Sequence, residues 1–479
     1  MIQNNKIYLS NGVKIEPSTL NRHGLITGAT GTGKTVSVKV LIESLSELNV
    51  PTFVADIKGD VSGLAQAGTS NEHVEKRVES MNITDFEYQG FPVTFWDVFG
   101  EKGIPIRTTV SNMGPLMLAQ LMELNDTQTG VLMSVFKAAD AHGLPILDFK
   151  DLKAIVQYAQ ENRKELEKEF GLMSSQSLAA ITRKLMFLED QNIEHLFGEP
   201  AFEINDWFHT DNMIHVLHAV KLFQSPHLYA SFLLWLLSEL YEYLPEVGDL
   251  EKPKMVFFFD EAHLLFKDMP KVLNDRLEMV VKLIRSKGVG IFFITQNPQD
   301  IPDSILSQLG NKVQHALRAY TPKEQKVVKA AADSFRANDA FDTAEAIVSL
   351  KTGEALVSTL DESGIPTVVE RVFIYPPKSF MGEISPELRA QLISASPFNR
   401  IYRNIIDRES AYEILMEREL EAKPVQEEIT KKAVKQKPRS TRMTPIERSV
   451  NSAFSSMGRE LGRMITRGIM GTLTGNKKK

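Results

Sequence analysis

An α/β fold with a parallel central sheet is what this 479-residue chain predicts, on three observations. Short apolar runs (Leu25-Ile26, Met255-Val256-Phe257-Phe258-Phe259, Gly290-Ile291-Phe292-Phe293-Ile294) each end in polar residues. Such unbroken runs suit strands buried on both faces, as when helices cover a sheet on each side. The first run opens into a glycine-rich turn and then a helix-like segment, Val36 to Leu48. In an open sheet of this kind, ligands gather at the carboxyl edge of the strands, where the polar residues stand.

The turn reads Gly28-Ala29-Thr30-Gly31-Thr32-Gly33-Lys34-Thr35, a complete G-x-x-x-x-G-K-[ST] phrase with a strand before it and a helix after. Consecutive backbone N–H groups from Gly28 to Val36 are expected to turn inward on a polyphosphate at the helix amino end. Lys34 would reach the outer phosphates and the Thr35 hydroxyl would hold a magnesium ion. The expected ligand is a nucleoside triphosphate.

Hydrolysis needs a second strand that brings carboxylates to the metal and to the attacking water. Asp260 and Glu261, at the end of the Met255–Phe259 run, are the candidates: Asp260 for the magnesium shell and Glu261 as general base. The competing role is a helix cap before Ala262. The lysine and the carboxylate pair are expected on adjacent strands. Gln296, where the third run stops, is placed to hydrogen-bond the terminal phosphate or the water. Its alternative is a plain strand exit at Asn297-Pro298. Arg285 before this run and Arg318 after it are candidate phosphate ligands, in their own subunit or across a ring interface. Asp56 and Lys58 end another strand, Thr52 to Asp56. They would touch the nucleotide region or serve ordinary turn chemistry around Gly59.

Together, GATGTGKT, MVFFFDEAH, GIFFITQNPQDIP and LGNKVQHALRAYTP resemble the HerA-FtsK group of motor ATPases, and within it the bacterial HerA-like helicases of the YjgR type. ADIKGDVSGL (55–64) and LNDTQTG (124–130) belong to the same likeness, which runs from about residue 20 to 400. The resemblance implies a RecA-like core of the additional-strand type, ATP and Mg2+, and a hexameric ring acting on DNA. Lys34, Thr35, Asp260, Glu261 and Gln296 would take the roles already given, and the family's basic residue before the glutamine strand would be Arg285. Motors related to secretion, acting on protein, and a slow nucleotide-gated scaffold are the alternatives; a nuclease or another protein is a conceivable partner.

Around that core the chain divides into a short amino-terminal β element (1–20), core segments 21–110 and 211–400, and an inserted helical subdomain (111–210). In the insertion, Met117, Leu118, Leu121 and Leu124, and again Leu178, Ile181, Leu185 and Leu188, recur at helical steps. His215 and His218 fall on a strand and its exit, a pattern that favours core or hydrogen-bonding roles over a zinc site. With no cysteine, disulfides and thiol chemistry are excluded. The amino terminus lacks a secretory core, and Leu228–Leu244 is too interrupted to span a bilayer, so a cytoplasmic protein is expected.

The net charge of -6 hides a division. From Lys423 on there are 14 basic and 4 acidic residues, which leaves 41 basic against 57 acidic in the body. Residues 401–443 are expected to hold a helix and then a basic linker. From 444 to 479 the pattern is a cationic amphipathic helix, with Ile446, Val450, Phe454, Met457 and Leu461 on its stripe. That helix would join subunits or partners, clamp nucleic acid, contact a membrane surface, or dock on its own domain.

Overall fold

The computed structural model describes residues 2–248, 250–266 and 271–420. Residues up to Leu415 form one compact unit. Of a second, 416–479, only 416–420 are described, in helical conformation. The basic linker from 423 and the amphipathic helix over 444–479 lie outside the described residues.

Strands β1 (Ile2–Gln3), β2 (Lys6–Tyr8) and β3 (Lys14–Ile15) pair antiparallel into a small sheet, the amino-terminal β element. The main sheet has ten strands. In chain order they are β4 (Gly24–Thr27), β5 (Thr52–Asp56), β6 (Val93–Asp97), β7 (Ile104–Pro105) and β8 (Ile214–His218). Then come β9 (Met255–Phe259), β10 (Val289–Thr295), β11 (Asn311–Gln314), β12 (Glu354–Ser358) and β13 (Glu370–Phe373). Their spatial order is β13-β12-β11-β4-β10-β9-β5-β8-β6-β7. All pairings from β11 to β7 are parallel, while β12 and β13 add on antiparallel. The sheet is therefore mixed at one edge, where the sequence reading assigned no strands.

The apolar runs are buried because both faces of the sheet are covered. Successive side chains point to opposite faces, so Phe257 and Phe259 join one core while Val256 and Phe258 join the other. The helix Lys34–Glu47 packs in the second core through Val38, Leu41 and Leu45. Pro226–Tyr243, apolar around most of its circumference, is buried in the first. Among the described residues no helix is long and apolar enough to cross a membrane.

The helical stretch contains Val110–Leu121, Asp126–Ala141, Phe149–Glu161, Arg163–Phe170 and Ser175–Asp190. Asn125 and Asp148 start two of these helices with reciprocal caps, each paired with the residue three positions on. Leu178, Ile181, Leu185 and Leu188 all face inward, as their spacing predicts. These helices share one continuous core with Phe53, Phe257 and Phe259 of the sheet. Trp207, near the end of the stretch, stacks on Phe53 and on His215, with ring centroids 5.0 Å apart in each case. His215 accepts a hydrogen bond from the Trp96 indole at 3.2 Å and pairs with the Thr210 hydroxyl at 2.9 Å. Burial drives its pKa down to about 3, so it is a neutral core histidine.

Candidate nucleotide site

β4 ends at Thr27, and the chain turns through Gly28, Gly31 and Gly33, all at positive φ, before the helix begins at Lys34. Gly28 is required sterically as well: a Cβ there would lie 2.5 Å from the Cβ of His315. The loop is held from the neighbouring strands. Ala29 N donates to Ala316 O at 2.8 Å, and Gly353 N donates to Thr32 O at 2.9 Å. Beneath it His315 pairs with the Ser37 hydroxyl (2.8 Å) and with Glu354 O (2.9 Å). Burial, helped by the Lys34 charge and opposed by backbone hydrogen bonds to Glu354 and Thr32, leaves this imidazole with a pKa of about 4. His315 and Gly353 were missed in the sequence, because neither stands in a phosphate-loop phrase.

The Lys34 ammonium donates to Gly28 O (2.5 Å) and Ala29 O (3.1 Å) of its own loop. Burial lowers its pKa, while the nearby Asp260 charge pulls it back up. Their strands are not adjacent, contrary to expectation: β10 lies between β4 and β9. This is the extra strand of the additional-strand topology. Register nonetheless aligns the strand ends, since Phe259 faces Phe293 and Thr295 faces Thr27. Gly28, Gln296, Asp260 and Glu261 thus emerge along one edge.

Asp260 and Glu261 occupy a tight turn. Glu261 N donates to Asp260 Oδ1 at 2.8 Å, Tyr229 Oη donates to Asp260 O at 2.8 Å, and Ala262 N donates to Ile294 O at 2.9 Å. Burial, and then the Glu261 charge, raise the Asp260 pKa to about 6. A carboxylate so placed gains from a nearby cation. Glu261 is buried at 7% exposure and sits at φ 48°, a left-handed conformation that a non-glycine residue adopts at a cost. Its Oε1 accepts from Gln296 Nε2 at 3.2 Å. Its Oε2 lies 3.3 Å from His263 Nδ1, but neither atom has a hydrogen-bond partner among the described residues. One lone pair of a buried carboxylate is left to accept from a water.

Thr35 lies half-buried in the first helical turn, next to Lys34. Its hydroxyl and the Asp260 carboxylate are hard oxygen donors of the kind magnesium takes beside phosphates, so the residues present fit that ion. Asp56 does turn chemistry instead. Its carboxylate accepts from Gly59 N (2.7 Å) and Ser62 N (3.2 Å).

The two arginines separate. Arg318 is exposed, two residues past Ala316, and so stands on the loop's side of the sheet. Arg285 lies in the turn Ile284–Lys287 before β10, at the amino edge, where its charge acts on buried His23. Seven residues of strand, roughly 23 Å, separate it from Gln296. Arg285 therefore cannot reach phosphates held by its own subunit's loop. Proximity in sequence misled here because a strand's two ends face opposite edges.

The model of the helicase HerA-like C-terminal family matches residues 3–479. The DNA double-strand break repair helicase HerA of Sulfurisphaera tokodaii is 24% identical over 364 residues, covering 72% of this chain and 64% of its own. That of Sulfolobus acidocaldarius is 24% identical over 378 residues, covering 78% and 68%. This chain thus matches about two thirds of these relatives' length. Among solved structures, the plasmid coupling protein TrwB in complex with the non-hydrolysable GTP analogue GDPNP has a TM-score of 0.56 at 15% identity, covering 81% of this chain and 92% of that one. TrwB with ADP and Mg2+ has a TM-score of 0.53 at 16% identity over 81% and 92%. The phosphate loop on β4, the intervening β10 and the acidic turn after β9 agree with that assignment: the chain belongs to the helicase HerA-like C-terminal family.

Proposed function

We propose that this protein is an ATP-hydrolysing motor that moves DNA, working with Mg2+ in the cytoplasm as a hexameric ring. The observation that carries the reading is the convergence on one sheet edge of Lys34, Asp260, Glu261 and Gln296. The names of the HerA relatives favour DNA as the substrate.

In the reaction, a water oxygen attacks the terminal phosphorus in line and Glu261 accepts its proton. The bond from that phosphorus to the bridging oxygen breaks, and the electron pair stays on ADP. Lys34 and the loop N–H groups stabilise the charge that develops on the phosphate oxygens. Thr35 and Asp260 would hold a magnesium ion, which would neutralise part of that charge. Gln296 holds the Glu261 carboxylate in place and sits where it would sense the terminal phosphate. Arg318, exposed on the loop side, is our choice for a finger. Arg285 would serve only across a subunit interface.

ATP turnover with and without duplex or single-stranded DNA tests the reading, run beside a mass determination of the assembly in nucleotide. Strong stimulation and a sixfold mass are expected, and Lys34→Ala should abolish nucleotide binding. An acidic body supports a second reading, a motor acting on protein, because each phosphate contact of DNA needs a basic group. Turnover indifferent to DNA would favour it. For the arginines, Arg318→Ala should stop turnover while nucleotide affinity stays within a few-fold. If activity returns when Arg318→Ala subunits are mixed with Glu261→Gln subunits, the arginine acts in trans.

A further inference from the structure

β5 lies next to β9 on the side away from the phosphate loop, with Thr52 facing Val256 and Val54 facing Phe258. Continued two residues, that register sets Asp56 beside Asp260, and Lys58 follows just beyond the strand end. The turn carrying Lys58 is rigid. The buried Asp56 carboxylate holds Gly59 N and Ser62 N, the Ser62 hydroxyl donates to Gly59 O at 2.7 Å, and Gly59 supplies the left-handed φ of 89°. Lys58 itself is exposed and makes no ion pair among the described residues. Its charge is nevertheless felt at both Lys34 and Asp260.

Lys34 and Lys58 thus stand on opposite sides of Asp260 in the strand order, one after β4 and one after β5. Lys34 feels both Asp260 and Glu261, whereas Lys58 has no ion pair among the described residues and is left to meet the further negative charge that a triphosphate brings to this edge. The anion chemistry already expected at this edge is the outermost phosphate of a triphosphate. We propose that Lys58 is a second catalytic cation, contacting the terminal phosphate from the β5 side of Asp260 while Lys34 contacts it from the β4 side. The proposal rests on the reading of this edge as a hydrolytic triphosphate site. It makes Lys58 specific for the third phosphate, because a diphosphate held by the loop would end short of it. No bond changes at Lys58; it stabilises charge on the non-bridging oxygens as the bridging bond breaks.

The test uses the full chain with ADP and the non-hydrolysable analogue AMP-PNP as binding probes, alongside ATP turnover. Lys58→Ala should weaken AMP-PNP about tenfold, as loss of one charged hydrogen bond does, and leave ADP within twofold. Turnover should fall about a hundredfold, the scale of one lost donor to a developing oxyanion. Lys58→Arg should recover part of both. Unchanged AMP-PNP affinity and unchanged turnover in Lys58→Ala would overturn the proposal. So would normal basal turnover with weakened DNA affinity, which would make Lys58 a substrate contact. Lys34→Ala is the control that separates failures: if it too binds both nucleotides normally, the triphosphate site itself is wrong. If only Lys58→Ala is silent, the second cation alone is. Because Lys58 is exposed, its replacement should leave the melting temperature unchanged.

Discussion

Glu261→Gln is expected to bind ATP with near-normal affinity and to turn it over about a thousandfold more slowly, the scale of a lost general base. The amide keeps the size of the carboxylate and can still meet Gln296, 3.2 Å away. It cannot take a proton from water. The left-handed backbone at Glu261 is set by the strand end and by Ala262 N on Ile294 O, neither of which the substitution touches. The fold should therefore survive, and the defect should appear in the chemical step alone. Measuring ATP affinity by equilibrium binding and turnover by phosphate release separates the two; wild-type phosphate release would remove Glu261 from the mechanism. Asp260→Asn should differ from it by weakening the magnesium dependence of binding.

Trp207→Ala is the second large effect, on stability: a loss of about 3–5 kcal/mol, typical of deleting a buried aromatic. Trp207 is completely buried and packs against Phe53, Phe202, His215 and Trp96, with ring centroids between 4.5 and 5.5 Å. It ties the end of the helical stretch to the face of β5 and β8. Its loss opens a cavity in the larger core and leaves neutral His215 short of a packing partner. Denaturant titration of the full chain should show the midpoint falling, and Trp207→Phe should recover much of it. A midpoint unmoved by Trp207→Ala would mean that the helices do not depend on this contact with the sheet.

These two expectations differ in how readily the sequence announces them. Glu261 was legible because its chemistry is local: an apolar run, two acids at its end, and a phosphate loop elsewhere in the chain. Trp207 was not, since its partners lie over 150 residues away on Phe53 and eight residues on at His215, contacts that no periodicity reveals. The helix Ser175–Asp190 was readable from Leu178, Ile181, Leu185 and Leu188, since an amphipathic stripe records which face is buried. The edge strands β12 and β13 were not, as their short runs take strand form from pairing, β12 with β11 and β13 with β12.

Sequence alone determined the glycine-rich turn from Gly28 to Thr35, the strand character of Met255–Phe259 and Gly290–Ile294, and the two acids at the end of the first of these runs, because each is encoded within a dozen residues. Tertiary structure alone decided which strand separates the lysine from the acids, which edge each arginine occupies, and what supports the loop from below. Those are questions of strand order and direction, and parallel neighbours joined by long crossovers carry no local mark of either. So Arg285, four residues before a strand that ends at the site, lies at the opposite edge from it, while His315, from a distant segment, lies beneath its loop.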